Sequence, residues 1–121
     1  MSEVINGTGV EREYEVESAI VTLAIIIGEG QIGASVVFLD DQVIAKGDVN
    51  TVILGPGSVL TGRRAVARSL VSDINPNTDR TAVTYILEGG ATELDVTLTQ
   101  NDAPNGSVIY QGVFSFREKA S

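Results

Sequence analysis

Apolar side chains recur along much of this chain at every second position. Leu94, Val96 and Leu98 alternate with Glu93, Asp95, Thr97 and Thr99, the pattern of a strand with one dry and one wet face. Val108, Tyr110, Phe114 and Phe116 alternate with Ser107, Gln111, Ser115 and Arg117 around a central Gly112, a glycine that marks a bulge, a bend or a close neighbour. Tyr14 and Val16 alternate with Glu13, Glu15 and Glu17, and the run then turns apolar on both faces from Ile20 to Ile27. A strand of that kind is expected to begin at an exposed edge and to end covered on both sides.

Further β-branched stretches span 31–40, 42–46, 50–54, 59–73 and 81–88. Turn-forming residues separate them: Gly28 to Gly30, Asp40 and Asp41, Gly55 to Gly57, Asn75 to Asn77, Gly89 and Gly90, and Pro104 to Gly106. Helix competes only over Arg63–Ser72, where Val66, Val71 and the lack of a cap at Gly62 favour strand. About eight strands predict an all-β fold, an antiparallel β-sandwich of immunoglobulin-like or C2-like kind, with a small barrel as the second choice. Residues 1–12 read as a loose N-terminal segment, 13–118 as one sandwich domain and 119–121 as a tail.

Composition narrows the chemistry. The 121 residues include no Cys, His or Trp, so this chain supplies no disulfide, Cys/His zinc site, cysteine nucleophile or imidazole base. Carboxylates, Ser and Lys leave open only an all-carboxylate, Ser-Lys or hard-cation site, and no set of catalytic residues emerges. Lys46 with Asp48, and Ser58 near Arg63 and Arg64, are the local polar groupings, and neither spacing forces its members together. A net charge of -8 repels nucleic acid and anionic lipid. Arg63, Arg64 and Arg68 are the basic exception and read as spaced strand residues.

The first residues have neither a cationic nor an apolar leader pattern, and the longest apolar run, Ala19–Ile27, is too short to span a bilayer as a helix. A soluble chain is expected, with the cytoplasm favoured. Asn6-Gly7-Thr8 and Asn105-Gly106-Ser107 match the glycosylation pattern and are read as turns.

Gly28, Gly30 and Gly33 form a literal G-x-G-x-x-G after an apolar run. The dinucleotide mechanism needs a helix to open there, and the β-branched residues up to Asp40 predict a strand instead, so a glycine-rich hairpin turn is expected. Asp73, Asn75, Asn77 and Asp79 place an oxygen at every second position, as in a calcium loop. They are the candidate Ca2+ ligands, with Asp40, Asp41, Asp48 or Asp102 as neighbours to borrow from. The competing reading is a set of Asx-turns around Pro76.

Finally, 43% of the chain is apolar, more than the about 25 to 35 inward positions of such a sandwich require. The surplus collects in 19–27, 36–39 and 52–54, which suits either strands covered on both sides or a surface that meets a partner. A non-enzymatic module acting by protein–protein interaction, with homo-oligomer as the expected partner state, is the leading expectation. A calcium-dependent ligand-binding domain and a small carboxylate-based enzyme are the alternatives.

Overall fold

The computed structural model describes residues 2–101 and 106–120. The candidate neighbour Asp102 and the turn residues Pro104 and Asn105 lie outside them.

The chain is a sandwich of two five-stranded sheets. Sheet A contains, in spatial order, β1 (Ser2–Asn6), β9 (Leu94–Gln100), β8 (Thr81–Glu88), β3 (Ile20–Ile27) and β6 (Thr51–Pro56). Sheet B contains β2 (Gly9–Val16), β10 (Ser107–Glu118), β7 (Arg64–Ser72), β4 (Ile32–Leu39) and β5 (Gln42–Gly47). Each sheet has two open ends, so the barrel alternative does not apply. One helical turn, α1 (Gly57–Leu60), interrupts the strands and buries Leu60. No helix among the described residues is long and apolar enough to cross a membrane.

Between the sheets the alternation expected from the sequence becomes a core. Tyr85, Tyr110, Phe114, Leu23, Leu87 and Leu98 are fully buried there. Tyr85 meets Phe114 edge-on at 6.1 Å between ring centroids, and Tyr14 meets Phe116 in the same way at 6.3 Å, the geometry favoured by the ring quadrupole. Gly112 is the close approach anticipated: a Cβ there would lie 2.8 Å from the Phe114 ring and 3.1 Å from that of Tyr85.

The all-β sandwich expected from the sequence forms, and four details of it differ. Ten strands form, and the pairing is not purely antiparallel, because β1 runs parallel to β9 and β2 parallel to β10. Residues before Glu13 are strand instead of a loose end. The chain switches sheets at Gly7 and Thr8, where the Gly7 N–H still bonds the Thr99 carbonyl of sheet A and the Thr8 carbonyl already accepts from Gln111 of sheet B. The Arg12 guanidinium then clasps Glu3 at 2.6 and 3.3 Å, tying the two edge strands together.

Third, Tyr14–Ile27 is not one strand covered on both sides at its end. It is β2 followed by β3 in the opposite sheet, and β3 buries Val21, Leu23 and Ile25 while Ile20 and Ile26 stay exposed. Fourth, the glycine-rich turn after Ile27 is not a hairpin, since β3 and β4 belong to different sheets. Among the described residues, β4–β5 and β8–β9 are the successive strands joined as hairpins.

Candidate functional site

The Asp73–Asp79 segment and the glycine-rich turn meet through Gln31, a residue only 6% exposed. Its amide oxygen accepts from the N–H groups of Ile74 and Asn75 at 2.7 and 2.8 Å. Its amide nitrogen donates to the Asp73 carboxylate and the Arg80 carbonyl, both at 3.0 Å, with the Thr78 carbonyl at 3.3 Å. Asn75 accepts from the Asn77 N–H at 3.0 Å in an Asx-turn, and its amide nitrogen donates to the Glu29 carbonyl at 2.9 Å. Of the four candidate ligands, therefore, Asp73 and Asn75 each have a side-chain oxygen engaged by a protein donor. Asn77 contributes its backbone to the turn. No group of three or more acidic side chains able to hold a metal ion occurs among the described residues.

The turn itself has a local reason. Glu29 and Gly30 both take positive φ, 60° and 69°, and a Cβ on Gly30 would lie 2.6 Å from the Asn75 amide. The glycine lets one loop lie against the other. β4 follows where a phosphate-binding helix would have to start.

A second polar cluster lies inside the sandwich. The Tyr85 hydroxyl is 2.9 Å from Ser69 Oγ, which is 2.8 Å from Ser35 Oγ. Burial pushes the Tyr85 phenol up to about 12, with the Ser69 hydrogen bond opposing the shift. Such a phenol holds its proton, so it cannot serve the serines as a base at neutral pH. Burial likewise raises Tyr110, which pairs with Thr81 Oγ1 at 2.6 Å, and Tyr14, whose hydroxyl meets the Thr92 carbonyl at 2.6 Å and accepts from the Gly90 N–H at 3.0 Å. All buried side-chain polar atoms among the described residues are partnered. These hydroxyls fasten the sheets and the β8–β9 turn.

An open depression beside α1 is lined by Glu17, Ser58, Glu118 and Lys119. Lys119 stands 3.9 Å from Glu17, with both side chains more than half exposed, so water reaches them freely.

The outer face of sheet B is of another kind. Its inward positions, such as Val37, Ala67 and Phe114, fill the core, and alternation sends the intervening residues outward. The cross-strand register arranges these in rows. Val43, Phe38, Val66 and Val113 form one row, ending at Glu11 on the β2 edge. Lys46, Val36, Arg68 and Gln111 form the next. Ala34, Leu70 and Ile109 follow, and then Ile32 beside Ser72. Ile32, Val43, Leu70 and Ile109 are 57%, 48%, 46% and 59% exposed. Ala34, Val36, Lys46, Arg68, Leu70 and Ile109 together line a shallow depression in this face.

The outer face of sheet A differs. There Thr22, Thr51, Thr84 and Thr97 intersperse Ile26, Ile53 and Val4, and Thr84 and Thr97 hydrogen-bond at 2.7 Å.

Charge divides along the same line. The strands of sheet A carry Glu3, Glu88 and Asp95 and no cation. Those of sheet B carry Arg12, Lys46, Arg64, Arg68 and Arg117 against Glu11, Glu13, Glu15 and Glu118. The basic trio read from the sequence also separates. Arg63 lies off the strand and binds Asp40 at 2.8 Å, a contact that, with the Arg64 N–H, holds the Asp40 carboxyl below its usual range. Arg64 and Arg68 project from the outer face of β7.

The exposed apolar rows of β7 and β10 were missed by sequence reasoning. No family model matches the chain, and neither a curated protein nor a solved structure matches it.

Proposed function

We propose that this chain is a non-catalytic β-sandwich module that works by protein–protein contact, with the outer face of sheet B as its working surface. The observation that carries this reading is the pair of apolar rows, Val43, Phe38, Val66 and Val113 in one and Ala34, Leu70 and Ile109 in the other, on a sheet face that no other part of the described chain covers. A strand face left to water ordinarily alternates to polar residues; sheet A does so only in part, with threonines set between Val4, Ile26 and Ile53, which are 68%, 51% and 68% exposed. Five strands about 4.8 Å apart and eight residues of about 3.3 Å make a rectangle of roughly 600 Å2. That is on the scale of the about 800 Å2 of accessible surface that each partner contributes to a specific interface.

Two copies packed face to face through sheet B fit poorly. A two-fold axis along the strands sets the central β7 over its own counterpart and brings Arg64 and Arg68 against the same residues of the second copy. An axis across the strands stacks Glu11, Glu13 and Glu15 on themselves. Like charges brought together at an interface cost several kcal/mol. A different protein is the better occupant.

Site-specific photo-cross-linking in cells that produce the protein tests the reading. A cross-linker replacing Leu70 should yield one discrete protein adduct that disappears when Ile109 is also replaced by Glu, and a cross-linker replacing Thr97 on sheet A should yield none. Equal adducts from both positions, or none from Leu70, would sink it.

A further inference from the structure

The chemistry of the partner can be taken one step further, on the basis of the reading just given. The chain has eight Lys and Arg residues. Arg12, Arg63, Arg80, Arg117 and Lys119 each lie within 4.0 Å of a carboxylate. The side chains of the other three, Lys46, Arg64 and Arg68, make no ion pair within 4.0 Å among the described residues, Arg64 meeting the Asp40 carboxylate through its backbone N–H, and all three stand on the outer face of sheet B. Arg68 is held by a neutral group, the Gln111 amide oxygen, at 2.9 and 3.2 Å. In a chain with sixteen acids, the cations whose side chains make no ion pair among the described residues are gathered where the apolar rows are.

We propose that sheet B receives an acidic protein surface: apolar side chains bordered by carboxylates that meet Lys46, Arg64 and Arg68. The register sets the spacing. Lys46 and Arg68 share a row two strands apart, about 10 Å, and Arg64 lies four residues along β7 from Arg68, about 13 Å. Between them lie Val36, Phe38 and Val66. Carboxylates at i and i+4 of an extended segment, or at i and i+7 of a helix, match these separations. Arginine suits this task, since its planar fork binds carboxylate in a bidentate manner.

The test uses three soluble helical peptides as probes: one with a leucine stripe bordered by glutamates, one with lysines replacing the glutamates, and one with serines replacing the leucines. The overall charge of -8 draws the lysine peptide, so preference for the glutamate peptide reports the local face. The glutamate peptide should bind saturably and at least tenfold more tightly than either of the others. The triple variant Lys46→Gln, Arg64→Gln, Arg68→Gln, checked for an unchanged melting temperature, should lose that affinity at least tenfold. Leu70→Ser is the second variant and should weaken it with the charges intact.

Equal or tighter binding of the lysine peptide, or undiminished binding by the triple variant, overturns the proposal. So does a concentration-dependent dimer in sedimentation that Leu70→Glu abolishes, although that result keeps sheet B as a contact surface. Binding of phosphatidylserine vesicles in place of every peptide, lost in the triple variant, overturns both the acidic partner and the protein–protein reading.

Discussion

Gln31 holds two loops with one side chain, and the cost of removing it follows from what it leaves behind. Gln31→Ala strips the Ile74 and Asn75 N–H groups of their acceptor in a part-buried site, a loss of roughly 2 to 4 kcal/mol. Urea unfolding measures it. A loss of that size with calcium absent would show the loop to be held by hydrogen bonds of its own. The tyrosines make a pH prediction. Because Tyr85 is pushed to about 12 by burial while an unfolded tyrosine ionises near 10, the folded state keeps a proton that the unfolded state releases between those values. Stability is therefore fully present below about pH 10 and falls by roughly 3 kcal/mol as pH rises to about 12. Unfolding followed alongside tyrosinate absorbance should show this decline, and Tyr85→Phe should reduce it, leaving the part that the raised Tyr14 and Tyr110 contribute. The Asx-turn chemistry of Asn75 was legible in the chain. Gln31 was not, because a glutamine in a polar turn is unremarkable until the fold brings the residue 73–79 loop against it.

At the level of elements, alternation identifies a strand and its dry face but not the sheet to which it belongs. This is why β2 and β3 read as one run: Glu17, Ser18 and Ala19 contain neither Gly nor Pro to signal the crossing. It is also why the Gly28–Gly33 turn read as a hairpin although it joins opposite sheets. The parallel pairing of β1 with β9 and of β2 with β10 was hidden for a related reason. A short polar segment such as Ser2–Asn6 has little apolar signal, and its order comes from a sheet edge that the sequence does not display. Gly112, by contrast, was legible as a place of close approach. Gly112→Ala would force a methyl group against two buried rings, an overpacking that should cost about 1 to 3 kcal/mol. A denaturation midpoint unchanged by that substitution would show that the Tyr85 and Phe114 rings can shift.

For the whole molecule, the apolar surplus was visible as a total, but its location was not. Of the segments 19–27, 36–39 and 52–54, only 36–39 lies in sheet B, where Val36 and Phe38 face outward, while the other two belong to sheet A; the surface on sheet B depends besides on Leu70, Ile109 and Val113, whose strands looked like ordinary half-buried ones. Only the register sets them beside Val36 and Ala34. If these side chains serve contact with another protein and not the fold, the fold should tolerate their loss. Val36→Thr, Leu70→Thr and Ile109→Thr together, each keeping a β-branched or strand-compatible residue on an open face, should change unfolding free energy by less than about 1.5 kcal/mol while removing binding of the glutamate peptide. The division of charge between the sheets adds to the same picture, since the cations whose side chains make no ion pair among the described residues stand among these residues and not on the threonine-bearing face. Methyl spectra recorded during titration with the glutamate-bordered leucine peptide test the account most directly. Shifts confined to Val36, Val66, Leu70 and Ile109 are the predicted result, whereas shifts centred on Val4, Ile26 and Ile53 of sheet A would contradict it.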